Sequence, residues 1–314
     1  ARAPAALDLA RSFKAAGFEA HMADCTPSRM AAFSRASAKV HLYPSPRRNF
    51  TDFARAMSNL IERIQPTVVV PTCEEGFYLA ALDAHCPIMF APPAPVLRRV
   101  HSKLLFAREA ASLGLAAPET VCVQSAHALR PMLAEAHSLV FKPEYSRFGT
   151  RTLVGPAREA VLALRPTEQA PWVVQQRVLG AEVCFYAASA DARLVAFSAY
   201  RSVWRFDGGA GYAFETLGRA LHDRLLEIAR VLSQRLIPRG QFACDIIVDA
   251  QGKPWLLECN PRATSGVHLF DRGAQLALAI MGRCDAPALA AGSGARHVGL
   301  AMWSYGLAAA RKHN

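Results

Sequence analysis

Asp245, Glu258 and Asn260 are the residues of this 314-residue chain whose types and spacing most directly imply chemistry. Two apolar runs, 242–248 and 255–259, flank the turn-rich segment Asp249-Ala250-Gln251-Gly252-Lys253, a signature of a β-hairpin. With Gln251-Gly252 as a two-residue loop, Ala250 faces Lys253 and, counting outward, Asp245 faces Glu258. A four-residue loop keeps that register, whereas an odd-length loop with a bulge shifts it by one. The side-chain period of two puts Asn260 on the face of Glu258. Opposed side chains have Cβ atoms roughly 5 Å apart, and two carboxylates there repel by roughly 3 kcal/mol at an effective dielectric of about 20. A cation must hold them. Two hard carboxylates and an amide oxygen suit Mg²⁺, which keeps waters and takes further ligands from phosphates.

Basic residues stand where such phosphates would need them. Ser102 is a good N-cap for a helix over 104–113, and Lys103 in its first turn opposes the helix dipole unless an anion lies close by. Lys142 closes a strand over 138–142, ended by Pro143, and the loop Glu144-Tyr145-Ser146-Arg147-Phe148-Gly149-Thr150 follows. A point charge beside hydroxyls and a Gly-bearing backbone makes a phosphate cradle. A further strand over 172–178 runs through Gln175, Gln176 and Val178 into Leu179-Gly180-Ala181-Glu182, and Arg262 follows Pro261 directly after the hairpin. Glu74 and Glu75 sit at the carboxyl end of a strand over 67–72, where ligands of open α/β sheets collect. Either can meet a substrate amine or decorate a helix start. Arg201 and Arg205 are candidates for substrate contact or plain surface pairs, and His268 reads as structural.

Taken together, the spacing Asp245, Glu258, Asn260, Pro261-Arg262 resembles the metal-binding hairpin of the ATP-grasp superfamily, which includes D-alanine:D-alanine ligase, biotin carboxylase and the large subunit of carbamoyl phosphate synthetase. The resemblance implies ATP with Mg²⁺, Mn²⁺ being able to stand in, held by Asp245, Glu258 and Asn260. It implies that Lys103 and Lys142 bind phosphates with Ser146, Gly149 and Thr150, and that Arg262, with Lys142, acts on the transferring group. It places adenine against Gln175, Gln176 and Val178 and the ribose on Glu182. Gln175 stands where the family usually has Glu and keeps an oxygen acceptor for the adenine amino group. The implied reaction joins a small-molecule carboxylate to an amine through an acyl phosphate, releasing ADP. Bicarbonate activation of the carbamoyl phosphate synthetase kind and a non-catalytic nucleotide-binding module are the competing readings.

The elements fit an α/β and α+β chain. A Rossmann-like unit over 1–95 is expected, then a small ATP-grasp subdomain over 96–180 with the phosphate loop, and a C-terminal subdomain over 181–314 with the metal site. Helices over 5–17, 50–65 and 217–236 alternate with short strands. The strand and Gly-rich turn that normally open such a unit are not seen, which predicts a trimmed start. Strands over 183–189 and 194–201 form a hairpin, a loop follows from Ser202, and a last strand is read around 298–303. With 52% hydrophobic and 19% charged residues the composition is that of a globular protein, and no run of 18 apolar residues suggests a membrane span. A cytoplasmic location is expected, and a homodimer is left open. The eight cysteines lack metal or disulfide spacing. A net charge of +11 is scattered without aromatic interleaving, which suits anionic substrates better than nucleic acid. Walker, zincin and nucleophile-elbow motifs are absent.

Overall fold

The computed structural model describes residues 3–27, 30–82, 88–146, 151–206, 209, 211–290 and 294–306. Helix α1 (Pro4–Ala15) has Pro in its first turn, where no amide donor is needed. Strand β1 (His21–Asp24) pairs in parallel with β2 (Lys39–Leu42). Helix α2 (Phe50–Ile64) is started by Asn49, whose side chain accepts the Asp52 N–H at 3.0 Å. The segment read as a strand over 67–72 makes a single parallel bridge, Val69 to Met89, and does not pair with β1. Between it and β1 lies a cavity of about 400 Å³ lined by Leu9, Phe13, Met22, Phe53, Val68 and Val70.

Helices α3 (Glu75–Leu82), α4 (Ala94–His101) and α5 (Lys103–Ser112) lead into a four-stranded antiparallel sheet. Its strands are β3 (Thr120–Val123), β4 (Leu139–Pro143), β5 (Leu153–Val154) and, after the short helix α6 (Arg158–Leu162), β6 (Trp172–Gln176), in the order β3-β6-β4-β5. Phe141, Val161, Trp172 and Val174 fill its core.

The larger sheet has seven strands. β7 (Ala181–Ala190), β8 (Arg193–Arg205) and β9 (Gly211–Thr216) precede helix α7 (Arg219–Arg235), and β10 (Gly240–Val248) and β11 (Pro254–Asn260) form the hairpin. Helix α8 (Gln275–Ile280), β12 (Ala288–Leu289) and β13 (Ala295–His297) follow. The antiparallel path is β11-β10-β7-β8-β9-β13, with β12 parallel beside β8. The period of two divides each strand between two cores. Val183, Phe185 and Ala187 pack toward Leu225 and Leu232 of α7, while Tyr186, Ala188 and Ala190 pack toward Leu9 and Phe13 of α1 and Leu276 of α8. Ser12 ties α1 to α8, donating to the Gly273 carbonyl at 2.7 Å and accepting the Ala277 N–H at 3.1 Å.

Three readings need correction. Strand β8 extends to Arg205, where a loop was expected from Ser202, because β9 pairs along it through two irregular steps. Arg193 begins β8 rather than sitting in the turn, which consists of Asp191 and Ala192 at φ 50° and 57°. Residues 299–306 are helical turns, so the strand read around 298–303 does not form. No helix among the described residues is long and apolar enough to cross a membrane.

Candidate active site

Asp245 pairs directly with Glu258, by a route the sequence did not suggest. The loop is 249–253, an odd length, and it sets Ile246 opposite Leu256. Asp249 organises it: Oδ1 accepts the N–H groups of Gln251 and Lys253 at 3.0 and 2.8 Å, and Oδ2 accepts the Trp255 indole N–H at 2.8 Å. A bulge at Leu257 then takes up one residue, so that Asp245 faces Glu258 and Ala243 faces Asn260. The bulge has a packing cause. Leu256 and Cys259, three residues apart, both enter the core beneath α7, which a regular strand could not do.

Around this pair the charges are unequal. Lys103 and Lys142, both buried, approach Glu258 Oε2 at 3.5 and 3.8 Å. Burial pushes the Glu258 carboxyl up, and the two ammonium groups overcome it and hold the group below its ordinary value. No described lysine or arginine forms an ion pair with Asp245, although the Arg262 charge draws its pKa down. Burial first and the Glu258 charge second push it up to about 6. Its Oδ2 accepts from Asn260 Nδ2 at 3.2 Å and its Oδ1 from the Cys184 thiol at 3.0 Å. Burial, ahead of the Glu258 attraction, lowers the Lys142 pKa.

Among the described residues no group of three or more His, Cys, Asp or Glu side chains is placed to hold a metal. The hairpin instead offers two carboxylates and the amide of Asn260. Asp245 and Glu258 face one another across the hairpin, with the Asn260 amide beside Asp245. Mg²⁺ fits that chemistry, since it binds through one or two carboxylates and keeps water or phosphate oxygens for the rest.

The dipole misfit at Lys103 is resolved locally. Its ammonium donates to the Glu144 carbonyl at 3.3 Å and to Ser146 Oγ at 3.1 Å, besides facing Glu258. Ser102 caps α5 by accepting the Leu105 N–H at 3.1 Å and donates in turn to Glu144 Oε1. The start of the loop after β4 is thereby fixed to the start of α5. Gly149 and Thr150 lie outside the described residues.

Arg262 reaches back to the segment before α3. Its Nε donates to Glu74 Oε1 at 3.1 Å, NH1 to the Ala263 carbonyl at 3.1 Å, and NH2 to Asn260 Oδ1 at 3.4 Å. Glu74 and Glu75 separate here, because Glu75 turns back to accept the N–H groups of Thr72 and Cys73 ahead of its helix, both at 3.1 Å. Beside them His101 lies between the rings of Phe77 and Tyr145, with centroids 5.0 and 5.8 Å away.

On the other side, Gln175 is buried at the end of β6, Gln176 is exposed and Val178 half-buried. Glu182, on β7, pairs with Arg205 at 2.7 Å. A Cβ at Gly180 would stand 2.1 Å from the Val248 carbonyl, so only glycine lets this turn press on the end of β10. Arg201 pairs with Glu215 at the surface, and His268 is held by Asp8 at 2.6 Å, a structural role. The sequence reading missed Cys184, Glu144 and Thr120. Cys184 meets Asp245 only through the β7–β10 pairing, which no local signal announces.

This arrangement, two sheets with buried lysines converging on a carboxylate-bearing hairpin, is the ATP-grasp fold. The 2-oxoglutarate carboxylase biotin carboxylase domain of Hydrogenobacter thermophilus, solved with MgADP, ADP and bicarbonate, matches with a TM-score of 0.71 at 10% identity, over 92% of this chain and 70% of that one. An ADP complex of N5-carboxyaminoimidazole ribonucleotide synthetase matches with a TM-score of 0.68 at 17% identity, over 88% and 74%. The L-amino acid ligase of Bacillus licheniformis matches with a TM-score of 0.64 at 13% identity, over 86% and 70%. No protein-family model and no curated protein matches the chain.

Proposed function

We propose that this chain is an ATP-dependent ligase that converts a small-molecule carboxylate to an acyl phosphate and passes it to an amine, releasing ADP and phosphate. The observation that carries this reading is the convergence of buried Lys103 and Lys142 on Glu258, opposite Asp245. Two buried cations and two carboxylates around one space suit a polyphosphate and its metal better than any nucleophilic or redox chemistry. When bound, Mg²⁺ would neutralise phosphate charge, with Asp245, Glu258 and Asn260 as its protein ligands. Lys103 and Lys142 would then turn from Glu258 to phosphate oxygens, helped by Ser146 and the loop that includes Gly149 and Thr150. Arg262 would leave or share Glu74 to face the transferring phosphoryl group. Gln175, Gln176 and the Val178 N–H would meet the adenine. Glu182 would hold the ribose, its charge kept in place by Arg205. Catalysis would rest on positioning and charge neutralisation, with no protein nucleophile.

Mg²⁺-dependent release of ADP, with hydroxylamine as a trap and amino acids, other carboxylates and bicarbonate in separate pools, tests this. A hydroxamate formed together with ADP is expected, and Glu258→Gln should lower the rate by roughly a thousandfold or more. AMP in place of ADP, or near-normal turnover by the variant, would defeat the assignment.

A further inference from the structure

The side-chain amide of Gln175 is held in one orientation. Gln175 lies opposite Thr120 across the β3–β6 pairing, and its Nε2 donates to Thr120 Oγ1 at 3.0 Å and to the Leu257 carbonyl at 3.4 Å. Toward Gln175 both partners can only accept. A carbonyl has no proton to give, and the single hydroxyl proton of Thr120 is committed to the Pro118 carbonyl at 2.8 Å. Turning the amide over would set its oxygen against two acceptors in a buried site and forfeit both bonds. The nitrogen is therefore pinned between β3 and the hairpin bulge. Oε1, on the opposite side of the amide, receives no hydrogen bond from a described residue.

We propose, resting on the nucleotide reading above, that Thr120 and the bulge carbonyl of Leu257 set base selectivity by fixing Gln175 with its oxygen toward the base. A 6-amino purine then donates to Oε1, whereas a 6-oxo purine presents a second acceptor to it. Gln175 is the specificity-determining residue, and Thr120, which touches no nucleotide, is a positioning residue. Leu257 gives the arrangement a second consequence. The bulge that lets Glu258 face Asp245 also supplies the carbonyl that orients Gln175, so base recognition and metal binding share one backbone irregularity.

Calorimetric binding of ADP and GDP in Mg²⁺ tests the proposal without requiring turnover. The unmodified protein should prefer ADP by roughly 30-fold. Thr120→Val keeps the β-branched shape, removes one of the two acceptors, and should narrow the preference by roughly fivefold, mainly by tightening GDP. Thr120→Ser should restore the original ratio. A purely structural role for Thr120 would weaken both nucleotides together and leave the ratio unchanged, which would overturn the proposal. Equal binding of ADP and GDP by the unmodified protein would overturn it as well, with the nucleotide reading intact. Binding of neither nucleotide would instead remove the nucleotide reading itself.

Discussion

Across the hairpin, two carboxyls meet while both lysines lean toward only one of them. Glu258 is therefore charged in the metal-free protein, and Asp245, pushed up to about 6 by burial and by Glu258, is held near the edge of ionisation. Relative to an unfolded Asp, that shift costs about 3 kcal/mol of stability at neutral pH. Asn at this position would accept from Asn260 as Asp245 does and carries no charge to repel Glu258. Asp245→Asn should accordingly raise metal-free stability by about 3 kcal/mol at neutral pH while abolishing Mg²⁺-dependent ADP binding. Urea unfolding in chelator and calorimetry with Mg²⁺ check the two halves. A variant no more stable than the parent would mean that Asp245 is not under this strain.

At the level of elements, α5 and the loop after β4 are joined through one hydroxyl. Ser102 caps the helix and donates to the buried carboxylate of Glu144, whose backbone carbonyl and neighbour Ser146 receive the Lys103 ammonium. Ser102→Ala should cost about 1 kcal/mol for the lost cap and leave Glu144 without that donor. MgADP affinity should fall severalfold, because the lysine and the loop start lose their common anchor. Glu144→Gln, which keeps an acceptor oxygen for Ser102, should bind nearly as the parent does. Unchanged affinity in Ser102→Ala would separate the cap from the site. The anion demanded by Lys103 was legible in the sequence, because a cation in a helix's first turn needs a local reason. Glu258 and Glu144 were not legible as its neighbours, since each is more than 40 positions away or on another strand. The Asp245–Glu258 register was legible, although the odd loop and the bulge at Leu257 that together produce it were not. Their cause lies in Leu256 and Cys259 both entering the core under α7, which is tertiary information.

On the scale of the whole molecule, the site is a junction. The segment before α3, the α4–α5 corner, the four-stranded sheet and the hairpin all end there, and His101 occupies the corner between Phe77 and Tyr145. Burial first, and then Lys103, lower its pKa to about 4, with Arg262 acting in the same sense and Glu258 and Glu74 against it. Between pH 4 and its ordinary 6.5, the unfolded chain binds a proton at this histidine that the folded chain does not, so stability falls on acidification, by roughly 3 kcal/mol in total. Asp245 carries the opposite sign. Between its ordinary 3.8 and about 6 the folded chain binds the extra proton, so stability rises on acidification over nearly the same window. In the metal-free parent the two slopes largely cancel, and these groups leave stability almost flat from pH 6 to pH 4. Removing either group should expose the other. His101→Phe, which keeps the ring stack but cannot titrate, should become more stable as pH falls through this range, and Asp245→Asn should become less stable. Urea unfolding of the three proteins at pH 6, 5 and 4 in chelator reads both tilts. Parallel profiles would show that neither group feels the junction as described, whereas opposite tilts would place both within one electrostatic unit that Mg²⁺ must reset when it binds.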